Sequence, residues 1–306
     1  MFRTLIVTSG ESLRIEQNWL VVETGEKKNR VPLDDIYSIV LDNLRCTISS
    51  AAITAITGAG AHILICDDKH LPQTVVYPLH NHYRPLNVIK KQLALDEGFK
   101  AGIWQKIVQE KIKNQAKVLD LCGVSKDKVS RMCRFAGEVL PGDPGNREGI
   151  AAKWFFRALY GSSFIRHADN AINAALNYGY SVIRSAVGKT LVAYGYNCVV
   201  GLHHINESNP FNLADDLMEP LRPIVDLWVD LNSNELVNEL SRDNRRELVD
   251  LINWKVLCDN KRMGLRNAID KYVSSLTTAM ERKNVDHIKI PAIIAATPCR
   301  GEEGDD

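Results

Sequence analysis

The chain has 306 residues, 45% of them apolar and 25% charged, enough to bury the core of one large or two modest globular domains. No run approaches eighteen apolar residues, Met1-Phe2-Arg3-Thr4 leads into an alternating pattern, and the seven cysteines contain no Cys-x-x-Cys pair. A membrane protein, a secreted disulfide scaffold and a thiolate zinc site are therefore not expected, and a soluble cytoplasmic protein is. The formal net charge of +1 hides a segregation, because residues 71–190 carry eighteen Lys/Arg against nine Asp/Glu while both flanks are acidic. A basic middle third suits an anionic polymer, and a solvated helix surface explains the charge equally well.

From the amino terminus, alternation predicts strands at 4–7, 13–15, 19–24 and 36–41, separated by Gly10, a polar turn at 25–29 and Pro32. Ser49 or Ser50 can cap a short helix closing at Gly58 and Gly60, and 62–66 reads as a buried strand. Residues 1–70 are thus expected to form a β-rich, sandwich-like domain with one short helix. Residues 71–87, with Pro72, Pro78 and Pro85, read as a linker. Beyond it the spacing turns helical: Ile103, Ile107, Val108, Ile112 and Val118-Leu119, then Ile165, Ile172, Leu176, Ile183 and Val187. The fold class predicted is α+β and multidomain, with a mostly α-helical catalytic domain over 88–300 and a disordered acidic tail at 301–306.

Three places concentrate polar groups where packing prefers apolar ones. Glu148, in Asn146-Arg147-Glu148-Gly149, opens a helix and can be read as a favourable charge on the helix dipole. With Arg147, Lys153 and Arg157 around it, it can also be read as a metal ligand beside phosphate. His203 and His204 follow Gly201; adjacent residues point apart, so one ligand with one neighbour is the economical picture. Asn212 can cap a short helix on which Asp215, Asp216 and Glu219 share a face, and those like charges need either full solvation or a cation. Carboxylates plus one imidazole, without thiolates, fit Mg2+ or Mn2+ and phosphoryl-transfer chemistry.

Taken in order, these blocks and Asn173-Ala174-Ala175-Leu176-Asn177-Tyr178-Gly179-Tyr180 resemble the spacer-acquisition integrase family known as CRISPR-associated protein one. The run Cys66-Asp67-Asp68-Lys69-His70-Leu71-Pro72 looks most like the branch beside the single-protein RNA-guided effector nuclease, the type II systems. The resemblance covers nearly the whole chain. It implies Glu148, His204 and Glu219 as catalytic metal ligands for Mg2+ or Mn2+, with His203 as a neighbour and Asp216 behind the site as a supporting or occasional ligand. Many relatives carry Asp where this chain has Glu219. It also implies a homodimer, dimerising and contacting DNA through the amino-terminal domain, and a heterohexamer with the small ferredoxin-like second adaptation protein. The effector nuclease is a further expected partner. The activity implied is transesterification, a captured double-stranded DNA fragment joining its 3′-hydroxyl to the edge of a CRISPR repeat.

Charge and motif position make Arg84, Arg147, Lys153, Arg157, Arg166 and Arg222 the expected phosphate contacts. Tyr178 and Tyr180 could stack on bases, but aromatic residues on an apolar helix are more often core. Two alternatives use the same residues: a stand-alone metal-dependent nuclease on branched or double-stranded DNA, and a non-catalytic DNA-binding scaffold whose carboxylates serve as salt-bridge partners.

Overall fold

The computed structural model describes residues 3–9, 12–25, 27–78, 82–237 and 239–294, so the tail at 301–306 lies outside the described residues. The chain divides into two units, Met1–Tyr83 and Arg84–Asp306.

In the first unit the elements are β1 (Arg3–Val7), β2 (Ser12–Glu16), β3 (Trp19–Thr24), β4 (Lys27–Pro32), β5 (Ile36–Leu41), β6 (Thr47–Ile48), α1 (Ser50–Gly58), β7 (His62–Cys66) and β8 (Pro72–Val76). They build two four-stranded sheets, ordered β1-β5-β7-β8 and β4-β3-β2-β6. Strands β1, β5 and β7 run parallel and β8 closes that sheet antiparallel to β7. Val7, Ile36, Ile39 and Ile63 from one sheet share a core with Leu13 and Leu20 from the other and with Ile56 of α1, which gives the expected sandwich-like unit with one helix. Ser49 caps α1, accepting from the Ala52 N–H at 3.1 Å.

Two expectations need correction. Residues 27–29 of the expected turn, together with Pro32, belong to a strand, β4, whose exposed charged residues suit a sheet edge that turns water-side and repels further pairing. The expected linker also begins too early: Pro72–Val76 pairs with β7, and Pro72 is tolerated because it opens a strand at the sheet edge. The turn before it is built by Asp67, whose Oδ1 accepts from the N–H groups of Lys69 and Leu71, while His70 Nδ1 lies 2.6 Å from buried Asp42 Oδ1.

The second unit contains α2 (Pro85–Leu93), α3 (Glu97–Leu121), α4 (Lys126–Gly137), α5 (Arg147–Tyr160), α6 (Ala171–Ala193), α7 (Asn212–Met218), α8 (Arg222–Leu231), α9 (Arg242–Asp250), β9 (Lys255–Cys258), β10 (Lys261–Gly264), α10 (Leu265–Arg282) and β11 (Ala292–Ile293). It is mostly helical as expected, with one small sheet, β10-β9-β11, that the helical spacing did not announce. Ile103, Ile107 and Ile112 of α3 and Ala175, Leu176 and Ile183 of α6 are fully buried and form the centre of its core. Ile165 falls before α6 and is exposed. Tyr178 and Tyr180 are buried, so they are core residues and not stacking platforms. Between them, a Cβ at Gly179 would come within 2.5 Å of Val225 Cγ1, so α6 and α8 pack closely only over glycine. Among the described residues, no helix is long and apolar enough to cross a membrane.

Candidate active site

Glu148 is delivered by the second position of α5. Its entry turn places Asp143 and Asn146 in left-handed backbone, with φ of 51° and 47°. Asp143 accepts from the backbone N–H groups of Arg147 (2.8 Å) and Glu148 (2.9 Å), and Asn146 Oδ1 accepts from that of Gly149 (3.2 Å). Those two residues satisfy the donors that a helix start leaves open, so Glu148 is not needed as a cap. Its carboxylate instead accepts a hydrogen bond from the ammonium of Lys111, in α3.

His204 is held by Asp216, which is fully buried in α7. Asp216 Oδ2 accepts from the N–H groups of Leu202 (2.6 Å) and His203 (3.1 Å), and Oδ1 accepts from that of His204 (3.1 Å). The same Oδ1 lies 2.7 Å from His204 Nδ1. A carboxylate partner keeps the proton on Nδ1 and leaves Nε2 its lone pair. This hydrogen bond pushes the His204 pKa up against partial burial, and the charges of Asp216, Glu219 and Asp215 add to it. The loop closes only over a hydrogen at residue 201, since a Cβ on Gly201 would sit 2.2 Å from the His204 carbonyl oxygen. Trp104 of α3 supports both imidazoles, stacked flat on His203 at 4.1 Å and edge-on to His204 at 5.7 Å. Asp216 is thus engaged at both oxygens in holding the loop, and His203 faces Trp104.

Glu219 sits at the break between α7 and α8, where Pro220 and Pro223 force a short turn over Glu219–Leu221. Buried Asn114 of α3 ties that turn down by donating to the Pro220 carbonyl at 2.8 Å. Asn212 does not cap α7 as expected; Phe211 occupies that position, and the Asn212 amide donates to the carbonyls of Val199 and Asn206, bracing the histidine loop. Glu219 Oε1 accepts from Arg222 Nε at 2.7 Å, and Oε2 accepts from Lys111 Nζ. Burial alone would raise the Glu219 pKa, but the adjacent Arg222 and Lys111 charges and their hydrogen bonds outweigh it and hold it at about 2. Burial likewise works against the Lys111 charge, and Glu219 and Glu148 overcome it, so its pKa is raised and it remains an ammonium.

Glu148 and Glu219 therefore converge on one positive charge, while His204 is held by Asp216 and feels the Glu219 charge. Among the described residues, no three His, Cys, Asp or Glu side chains stand together as ready metal ligands. The expected three-way convergence is realised for the two carboxylates and not for the imidazole. The donors nonetheless fit a hard divalent ion: two carboxylates already facing a cation, and an imidazole whose Nε2 makes no hydrogen bond among the described residues.

The expected phosphate contacts divide. Lys153 and Arg157 are exposed along α5 and have no ion-pair partner among the described residues. Arg147 pairs with Glu138 at 3.2 Å, and Arg84 stands immediately before α2. Arg166 donates to the side-chain oxygens of Asn173 and Asn177 and lies over the Tyr180 ring at 5.3 Å, bracing the start of α6. Arg222 pairs with Glu219 and lies over the Tyr180 ring at 4.7 Å, the pairing with an acidic neighbour taking up its charge within the protein. Lys111, Trp104, Asn114 and Asp143 escaped the sequence reading. A signal existed for one of them: Lys111 stands on the apolar α3 stripe, four residues after Ile107 and eight after Ile103.

A profile described as "CRISPR associated protein Cas1" matches residues 4–138 and 164–242. The chain is 38% identical to the CRISPR-associated endonuclease Cas1 of Neisseria meningitidis serogroup C, over 96% of this chain and 97% of that one. It is 25% identical to a CRISPR-associated endonuclease Cas1 of Pyrobaculum aerophilum, over 78% of this chain and 84% of that one. Among solved structures, a casposase bound to integration product shares the fold with a TM-score of 0.74 at 19% identity, covering 92% of each chain. A Cas1 protein from Thermotoga maritima follows with 0.73 at 16% identity, covering 91% of this chain and 97% of that one. Profile and relative agree over most of the sequence, and the two-part fold matches: this chain belongs to the CRISPR-associated protein Cas1 family.

Proposed function

We propose that Glu148, His204 and Glu219 hold one Mg2+ or Mn2+, and that with it the protein joins captured double-stranded DNA to a CRISPR repeat by transesterification. The observation carrying this reading is the convergence of two carboxylates, from α5 and from the end of α7, on one cationic point. His204 would contribute Nε2, because Asp216 occupies Nδ1. A divalent ion bound there lowers the pKa of an attacking hydroxyl and neutralises charge growing on the scissile phosphate.

The chain's own residues do the rest. Arg222 keeps Glu219 ionised and fixes the direction of its carboxylate, while Asp216 and Trp104 fix the imidazole. Lys153 and Arg157 offer unpaired charge on the exposed side of α5, suited to successive backbone phosphates. In the reaction the fragment's 3′-oxygen bonds to the phosphorus at the repeat edge, the bond from that phosphorus to the 3′-oxygen of the adjoining nucleotide breaks, and the hydroxyl proton ends on that leaving oxygen. One phosphodiester replaces another, so no external energy source is required.

A chain of a solved Cas6-RT-Cas1–Cas2 complex contains this fold, with a TM-score of 0.73 at 17% identity, covering 94% of this chain and 36% of that one. Cas2 in that complex supports the small second adaptation protein as partner; a heterohexamer built on a homodimer of this chain, and the effector nuclease of type II systems as an additional partner, are proposed from the family resemblance alone.

The deciding experiment combines purified protein, the second subunit, a supercoiled repeat plasmid, fragment DNA and Mn2+. Joined products that vanish with Glu148→Ala or His204→Ala are expected. Only nicked or shortened strands would favour a stand-alone nuclease, and full joining by either variant would remove the site assignment.

A further inference from the structure

Lys111 is out of place by the logic of its own helix. It lies on the buried stripe of α3, a position where an aliphatic side chain would pack without desolvation cost, and it is 5% exposed. Its Nζ contacts Glu148 Oε1 and Glu219 Oε2. Glu219 Oε1 is taken separately by Arg222, whose guanidinium is also stacked on Tyr180. The two carboxylates and the two cations sum to zero charge, and the cations differ in kind. A planar guanidinium clamped by a carboxylate and an aromatic ring is fixed, whereas an ammonium on a flexible four-carbon stem can withdraw and re-form its contacts elsewhere.

We propose that Lys111 is the resident counter-ion of the metal site, holding Glu148 and Glu219 together until a divalent ion takes the same oxygens and displaces it. The inference rests on the metal reading above. The physical reason is competition for lone pairs: an ion bridging Glu148 and Glu219 needs the oxygen atoms that Lys111 occupies, and a +2 charge beside an unmoved ammonium is repelled. Without Lys111 the two carboxylates would face each other uncompensated in a partly dry site, which would loosen the turn before α5 or the break after α7. Lys111 is thus a positioning residue in the metal-free protein and a competitor during metal uptake.

The test is calorimetric titration of the full chain with Mn2+, for wild type, Lys111→Met and Lys111→Gln, together with thermal melts with and without Mn2+. Both variants are expected to bind Mn2+ about tenfold more tightly or better, since no ammonium must be displaced. They should also melt below wild type without metal and recover at saturating Mn2+. Equal or weaker affinity in folded variants, with wild type still binding, overturns the role of Lys111 and leaves the metal site standing. No uptake by any of the three proteins removes the metal site and this inference with it. Should Lys111→Met not fold alone, Lys111→Gln, which keeps a donor without the charge, carries the titration. If neither folds alone, folding restored by Mn2+ supports the role, and failure to fold with Mn2+ overturns it.

Discussion

His204 and Asp216 are joined twice through one oxygen atom: Oδ1 accepts the backbone N–H of His204 at 3.1 Å and faces its imidazole Nδ1 at 2.7 Å. The histidine's backbone and side chain are therefore fixed by the same buried carboxylate, and the loop cannot shift without turning the ring. Asp216→Ala is expected to lower stability by about 2–4 kcal/mol, because the 202–204 amides lose their acceptor together. Asp216→Asn keeps the volume and should let the His204 pKa fall back toward its ordinary value. Thermal melts and an NMR titration of the His204 ring check both, and an unmoved ring titration in Asp216→Asn would show that the pair does not set the imidazole.

Arg222 carries the second prediction, on pH. A carboxylate whose pKa is held down in the folded protein adds stability above its unfolded pKa, near 4.5, and that contribution fades as pH falls toward the folded value, about 2 for Glu219. Arg222→Gln removes the cation with the stronger influence on Glu219 while burial persists, so the folded pKa rises and less of this stabilisation remains at neutral pH. A loss of about 3 kcal/mol at pH 7 is expected, as for breaking one partner out of a buried pair. The gap to wild type should shrink as pH falls through 4 toward 2, where Glu219 is protonated in both unfolded chains. Melting temperatures measured from pH 7 downward decide this; a gap constant with pH would mean that Arg222 acts by packing on Tyr180 alone.

The third prediction separates surface charge from structural charge. Lys153→Ala with Arg157→Ala removes two exposed cations without ion-pair partners among the described residues. Stability should stay within about 0.5 kcal/mol of wild type. The slope of log binding constant against log salt should shrink by about 2 on duplex DNA. Arg166→Ala should behave oppositely, lowering the melting temperature through loss of the Asn173 and Asn177 contacts and changing the salt slope little. Fluorescence anisotropy across a salt series, alongside melts, tests the contrast.

Element types were legible wherever the pattern was local. Strands β1, β2, β3, β5 and β7, helix α1 and the long helices α3 and α6 follow from spacing and caps that act within a few residues. The misread segments, β4 and β8, are polar or proline-bearing edge strands, whose pairing depends on a neighbour already in place and not on their own pattern. The motif residues Glu148, His204 and Glu219 stood out because each is a polar group in an otherwise apolar or glycine-marked context.

What the sequence by itself determined is therefore the two-part architecture and the chemical character of the site: carboxylates and an imidazole on particular helix ends and one loop. What the tertiary structure decided is which charge answers which. Lys111 lies 37 residues from Glu148 and 108 from Glu219, and Trp104 reaches the histidines from a different helix. Such partnerships arise when α3 packs under α5, α7 and the histidine loop, and burial then makes each uncompensated charge costly enough to select its partner. Periodicity records which face of a helix is buried; it carries no record of what that face meets.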